Sequence, residues 1–288
     1  MMTSTVYLNG ELVPEQQARI PVSDAGLLYG LGYFETFRTS GGWPHHWTFN
    51  RRRLLAACQR AHLTLAKTSL AFDEPRLHAT VRELLARNRQ IDAVFRYTIT
   101  AGTDGNATEL LTMRALPAMP PDAGIALRVL RLRRDRGEWW PRPKSLNYSN
   151  AILGANELET RAATATDEGL FLSQHEDVIV ETPRQNVAWI IGDSIQTPDP
   201  TTGAVAGTCL AWLNEMGLAI EPVGARLSHM LKSDAVFCAN AVRGITPVAQ
   251  LWDETDRQLL HSFSSATHPV VVDLRRRWRA ALAVTADK

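Results

Sequence analysis

Lys144-Ser145-Leu146-Asn147-Tyr148, followed further on by Asp167-Glu168-Gly169-Leu170, is the stretch on which the reading of this 288-residue chain turns. The chain holds 31 lysines plus arginines, yet only Lys67, Lys144, Lys232 and Lys288 are lysine. Arginine solvates a surface as well as lysine does, but it neither forms a Schiff base nor deprotonates near neutral pH. A lysine kept in an arginine-rich chain is therefore a candidate for amine chemistry, with a solvated surface lysine as the alternative. Scarcity alone does not choose Lys144, because the other three share it.

Outward from this stretch, the pattern predicts a helix over Asn147 to Ala163. That would set Tyr148 about one turn beyond Lys144 if the segment is helical. Upstream, Val6-Tyr7-Leu8 and Glu11-Leu12-Val13 flank Asn9-Gly10, a two-residue hairpin signal. A glycine-rich loop spans Ser23 to Gly32, and Tyr33 to Thr39 reads as a strand. Asn50 is placed to cap a helix from Arg51 to about Leu65, with Leu54, Ala57, Cys58 and Ala61 at helical spacing. A second helix covers Glu74 to Asn88, and Ala93 to Ala101 is a strand. Pro117 to Asp122 is the best linker, which divides the chain into domains 1–120 and 121–288. Beyond it come short strands at Ile125–Leu132, Gly169–Ser173, Val178–Glu181, Val187–Ile191, Ser194–Thr197, Val236–Ala239 and Pro247–Leu251. Helices are expected at Gly207–Met216 and Pro269–Val284. The expected fold class is α/β (α+β) with two domains, the second richer in strand.

Composition narrows the function classes. A net charge of +1 argues against nucleic acid or an anionic membrane as the main partner. The clusters Arg51–Arg53, Arg131–Arg136 and Arg275–Arg277 read mostly as solvated faces. No apolar run approaches the roughly 18 residues of a membrane span. The N-terminus shows no secretory pattern. Cys58, Cys209 and Cys238 are odd in number and far apart, which fits a reducing cytoplasm and yields neither a disulfide framework nor a zinc site. Gly30-Leu31-Gly32 lacks the third glycine of a dinucleotide fingerprint, and no phosphate-loop, H-E-x-x-H or G-x-S-x-G motif occurs. No metal is expected.

Six segments, by their order and spacing, resemble the class IV (fold type IV) pyridoxal-phosphate enzymes: branched-chain and D-amino-acid aminotransferases and aminodeoxychorismate lyases. They are Tyr7–Gly10 with Asp24–Thr36; Asn50–Leu54; Lys144–Tyr148 with Asp167–Leu170; Val178–Val187; Val205–Leu210; and Ala239–Val248. Three positions depart from the usual pattern: Leu31, Asn50 and Leu210.

The resemblance implies a two-domain fold with a smaller N-terminal α/β domain and a larger, barrel-like C-terminal domain. It implies pyridoxal 5'-phosphate as cofactor. Lys144 would be its Schiff-base anchor and carry the substrate proton. Tyr148 would lie near the phenolic oxygen, and Glu181 would pair with the pyridine nitrogen, with Asn186 following in the same motif. Arg53 would meet the phosphate with paired charge-assisted bonds. Gly207, Thr208 and Cys209 would do so at a helix start, where free N–H groups and the dipole both favour an anion. Asn240 and Ala241 would lie near phosphate or substrate, and Tyr33, Phe34 and Arg96 are candidate substrate-binding residues. The resemblance also implies a small amino substrate and a homodimer. Ala57-Cys58-Gln59-Arg60 and Asn240–Gly244 lean toward the lyase. Arg96-Tyr97-Thr98 lacks the Arg-x-His clamp of the D-amino-acid enzymes. The alternatives are a class IV aminotransferase and a non-catalytic cofactor-binding relative. Trp139-Trp140, just before Lys144, reads equally as pocket wall or plain packing.

Overall fold

The computed structural model describes residues 4–137, 141–161, 163–255 and 257–286; Trp139-Trp140 lie outside the described residues. The chain divides into two compact units. The first comprises residues 1–117, 144–147 and 280–288, and the second 118–143 and 148–279.

The first unit is built on a six-stranded sheet of β1 (Thr5–Leu8), β2 (Glu11–Pro14), β3 (Gly32–Ser40), β4 (Trp43–Pro44), β5 (Val94–Thr103) and β6 (Asn106–Arg114), in the order β2-β1-β6-β5-β3-β4. The β1–β2 hairpin turns at Asn9 and Gly10, both at positive φ, as a tight hairpin requires. The segment before β3 folds as a short helix, α1 (Ala25–Tyr29), rather than as the expected loop. Asp24 caps it by accepting from the Gly26 amide at 2.7 Å. Burial pushes the Asp24 carboxyl up, but bonds from Thr108, Thr100 and the helix amides outweigh this and hold it below its ordinary range.

Two longer helices complete the unit, α2 (Trp47–Arg60) and α3 (Glu74–Arg87). In α3, Asp73 accepts from the Arg76 amide, a cap worth about 1 kcal/mol. The expectation for α2 is corrected: it starts at Trp47, so Asn50 lies inside it, buried, and caps nothing. Packing overrides capping preference here. The Trp47 ring lies 5.0 Å from that of Phe37, which stacks at 5.5 Å on Phe95, and burying each such ring contributes about 1.5–3 kcal/mol. β6 was not foreseen. It pairs with β5 along its length, from Val94↔Arg114 to Thr103↔Asn106.

The second unit carries a mixed sheet of β7 (Ile125–Val129), β8 (Glu168–Leu170), β9 (Asn186–Ile191), β10 (Ser194–Pro198), β11 (Ile220–Val223), β12 (Ala235–Asn240), β13 (Gly244–Trp252) and β14 (Leu259–Ser262). Its order is β11-β10-β9-β12-β13-β7-β8, with β14 on β13. Its core gathers Leu127, Leu170, Ile179, Trp189, Val236 and Val248. Helices α4 (Ser149–Glu159), α5 (Thr208–Glu215), α6 (Leu227–Met230) and α7 (Pro269–Ala286) accompany it, and α7 ends with residues of the first unit. Trp212 on α5 meets Trp278 on α7 edge to face at 5.6 Å. Gly244 sits at φ +68 with the Trp278 indole where a β-carbon would be, so both geometry and space require glycine there.

Candidate active site

Lys144 reaches its place through strand pairing, not through a helix. Residues 144–147 lie beside β3 and meet it at an isolated antiparallel bridge. The Phe34 amide donates to the Lys144 carbonyl and the Leu146 amide to the Gly32 carbonyl, both at 2.9 Å, around a Tyr33↔Ser145 bridge. Asn147 locks the segment. Its Oδ1 lies 2.2 Å from where a β-carbon on Gly30 would stand, and Gly30 caps α1 at φ +66. The one-turn relation between Lys144 and Tyr148 is therefore corrected: α4 begins only at Ser149, and Tyr148 is its N-cap residue.

The Lys144 amine lies 4.7 Å from the centre of the buried Phe34 ring. The Arg96 guanidinium lies 3.5 Å from the same centre, so one ring carries two cations. Tyr33 is buried, and burial, followed by the neighbouring Cys58, raises its phenol above the ordinary value. Burial likewise pushes the Cys58 thiol up to about 12, which leaves it no nucleophilic role near neutral pH. Arg53 has a carboxylate partner of its own. Its Nε and Nη2 donate to Glu35 at 2.8 and 2.6 Å, and Asn50 Nδ2 donates to the same carboxylate at 2.8 Å. Glu35 is buried, so this fork neutralises a charge that would otherwise be costly.

In the second unit, Glu181 is held at both oxygens. Arg134 Nη2 donates to Oε1 at 2.9 Å, and the Val205 amide and Asn186 Nδ2 donate to Oε2 at 3.0 and 3.4 Å. Arg134 also donates to Asn150 Oδ1 at 3.0 Å and rests over Phe171. Arg134 is buried, which corrects the reading of Arg131–Arg136 as a solvated face for this member. Nothing in the run Arg-Leu-Arg-Arg-Asp-Arg marks it out; only the fold does. The Tyr148 hydroxyl donates to the Pro183 carbonyl at 2.7 Å.

α5 begins where expected. Its N-cap residue is Gly207, with no side-chain capping bond, and Thr208, Cys209 and Leu210 are all buried. A buried helix start without a side-chain cap leaves N–H donors for an outside acceptor. Gly207 has no space for a side chain, because Asn186 Oδ1 lies 2.0 Å from its would-be β-carbon. The Asn240 side chain accepts from the Val242 and Arg243 amides at 2.9 and 2.7 Å and so fixes the turn containing Ala241. Among the described residues, no group of three or more His, Cys, Asp or Glu side chains could hold a metal ion.

This architecture, an antiparallel sheet in one unit and a mixed sheet in the other, each accompanied by helices, is that of the fold type IV enzymes. The model of the amino-transferase class IV family matches residues 32–251, and the chain belongs to that family. Its members are pyridoxal-phosphate-dependent enzymes. The chain is 27% identical over 261 residues to an aminodeoxychorismate lyase of Bacillus subtilis, covering 85% of this chain and 86% of that one. It is 25% identical over 260 residues to a putative branched-chain-amino-acid aminotransferase of Methanocaldococcus jannaschii, covering 85% and 87%. Its fold matches the branched-chain aminotransferase of Thermoproteus uzoniensis with a TM-score of 0.79 at 21% identity, over 98% and 96% of the two chains.

The donor set fits the family's cofactor. One unit carries an amine fixed by a strand pairing; the other carries an anchored carboxylate and a buried helix start without a side-chain cap.

Proposed function

We propose that the protein is a 4-amino-4-deoxychorismate lyase that releases pyruvate and 4-aminobenzoate. The observation that carries the reading of the site is the Lys144 amine, fixed over Phe34 by the pairing of its segment with β3. The choice of lyase is supported by Ala57-Cys58-Gln59-Arg60, by Asn240–Gly244 and by the Bacillus subtilis relative. A class IV aminotransferase is the second reading, favoured by the Methanocaldococcus relative.

When bound, pyridoxal phosphate supplies an electron sink for the charge left as a proton departs from the amine-bearing carbon. Lys144 is assigned as its covalent anchor and, once released, as the base that takes that proton. Glu181, ion-paired with Arg134, is assigned to the pyridine nitrogen, and Asn186 holds that carboxylate in place. The Thr208 and Cys209 amides, beside Gly207, would hold the phosphate of the bound cofactor, and Arg53, whose orientation Glu35 sets, is the guanidinium assigned to it. Tyr148, tied to Pro183, would lie near the phenolic oxygen of the bound cofactor, and Asn240 and Ala241 would lie near its phosphate or the substrate. Tyr33, Phe34 and Arg96 are assigned to the substrate, with Arg96 resting on the Phe34 ring. In the lyase reaction the ring loses the proton at its amine-bearing carbon. The neighbouring carbon–oxygen bond breaks, the ring becomes aromatic, and the three-carbon unit leaves as pyruvate.

A homodimer is proposed with it. Val22, Leu27, Leu28 and Tyr29 are each more than half exposed, and Leu31 joins them, an apolar run that a second copy would cover. Three buried, unpaired cysteines support a cytoplasmic location. No helix among the described residues is long and apolar enough to cross a membrane.

The test is to supply aminodeoxychorismate without a keto-acid acceptor and assay pyruvate. Pyruvate release supports the lyase. Turnover only with an amino acid plus 2-oxoglutarate refutes it in favour of the aminotransferase. Lys144→Ala is expected to abolish both the cofactor's absorbance band and turnover.

A further inference from the structure

Three chain segments lie side by side in the second unit, and Arg134, Phe171 and Glu181 stand one on each. The Arg134 amide donates to the Leu172 carbonyl at 2.8 Å, and Arg134 bridges Ser173. The Phe171 amide donates to the Glu181 carbonyl at 2.9 Å. The Arg134 guanidinium therefore crosses the middle segment, 5.3 Å from the centre of the Phe171 ring, to meet the Glu181 carboxylate beyond it. It is held from the other end by α4. Asn150, in the first turn of that helix, accepts from Arg134 Nη1 at 3.0 Å and donates from Nδ2 to the Arg133 carbonyl at 3.3 Å.

The bonds to Glu181 are unequal. Oε2 receives two donors, the Val205 amide and Asn186 Nδ2, while Oε1 receives Arg134 Nη2 alone. A carboxylate oxygen accepts about two hydrogen bonds, so Oε1 is the one with capacity for a further donor. Bonds at Oε2 alone would let the group swing about that oxygen, and Arg134 stops the swing. Arg134 is also the only cation bonded to this carboxylate among the described residues. Arg142, which feels the same charge, gives Nη1 to the Asp135 carbonyl at 2.6 Å instead. The two Nη groups decide how the Arg134 guanidinium lies, because its Nε is buried with no bond among the described residues. A proton placed on Glu181 would strand the Arg134 charge in the interior.

We propose that Arg134 is a positioning residue that acts through Glu181: by holding the plane and the charge of that carboxylate, it keeps the proton of a carboxylate–pyridine pair on the ring nitrogen. This rests on the pyridoxal-phosphate reading above. In a buried site a carboxylate and a pyridine share one proton either as an ion pair or as a neutral acid beside a neutral ring. With no cation alongside, burial favours the neutral pair, which avoids burying two charges. With Arg134 on Oε1 the ion pair is favoured, and the ring nitrogen keeps its proton. A protonated ring is the stronger electron sink.

The test is nitrogen NMR on the holoprotein, loaded with pyridoxal phosphate isotope-labelled at the ring nitrogen. The wild type is expected to give the resonance of a protonated ring. Arg134→Gln moves it toward that of an unprotonated pyridine, and Arg134→Lys, which keeps the charge, restores it. Asn150→Asp sets a competing carboxylate against Arg134 Nη1 and moves the resonance the same way by a smaller amount. It keeps both partners of the Arg134–Glu181 pair, so it decides the matter if Arg134→Gln does not fold. A purely structural Arg134 would alter urea unfolding and leave the resonance of every folded variant at the wild-type position. That result overturns the proposal, as does a wild type whose ring nitrogen is unprotonated. A protein that never takes up the labelled cofactor sinks the underlying pyridoxal-phosphate reading, whereas a loaded protein with an unmoved resonance sinks this proposal alone.

Discussion

Two buried glutamates of the second unit are treated in opposite ways. Glu181 accepts from Arg134, from a backbone amide and from Asn186, so both oxygens are committed. Glu168 is at least as deeply buried and faces two arginines, Arg184 Nε at 3.3 Å and Arg243 Nη1 at 3.5 Å from one oxygen. A carboxylate fixed at both oxygens can hold one position relative to a partner that does not change. The first arrangement fixes the carboxylate in one position; in the second, burial outweighs the two arginines and raises the Glu168 carboxyl.

The comparison breaks most visibly at Glu181. Glu181→Ala strands the Arg134 charge in the interior, and breaking a buried pair from one side costs about 3–5 kcal/mol. Urea unfolding is expected to show a loss of that size, together with loss of the cofactor band. Next is Gly207→Ala. Its methyl group must displace Asn186, which also steadies Glu181, so a cost of about 1–3 kcal/mol and weaker cofactor uptake are expected from unfolding and absorbance titrations. The smallest effect falls at Glu168, and it depends on pH. Burial raises the Glu168 carboxyl above its ordinary value of 4.5, although Arg184 and Arg243 oppose the shift. Its contribution is thus full below the unfolded pKa and is lost as pH rises through the higher folded value. Glutamine does not titrate, so Glu168→Gln is expected to gain stability on the wild type across that rise. Parallel stability–pH curves for the two proteins would show that Glu168 is not the buried, charge-balanced group described.

What the sequence made legible was local. The Asn9-Gly10 hairpin, the helix expected over Glu74 to Asn88 and the helix start at Gly207 depend on neighbouring residues, and all three formed where expected. What stayed hidden depends on distant partners. Lys144 and Tyr148 read as one helical turn because the pairing of residues 144–147 with β3 leaves no periodic mark. Asn50 reads as a cap because the pull of Trp47 into the core is a packing effect. Arg134 is indistinguishable among its arginine neighbours until Glu181 is placed beside it. Arg184 passed unremarked for a related reason: its partner Glu168 lies in a different motif, on β8.

The pairing of residues 144–147 with β3 also bears on how the chain acquires its fold. Its two hydrogen bonds close a loop of roughly 110 residues, and the entropy of that closure must be met before the bonds can form. The most consequential amine in the molecule is thus set by one of its least local contacts. Segments that collapse early, such as the Asn9-Gly10 hairpin, can be native while Lys144 still drifts. A positioned lysine therefore requires that this long loop has already closed.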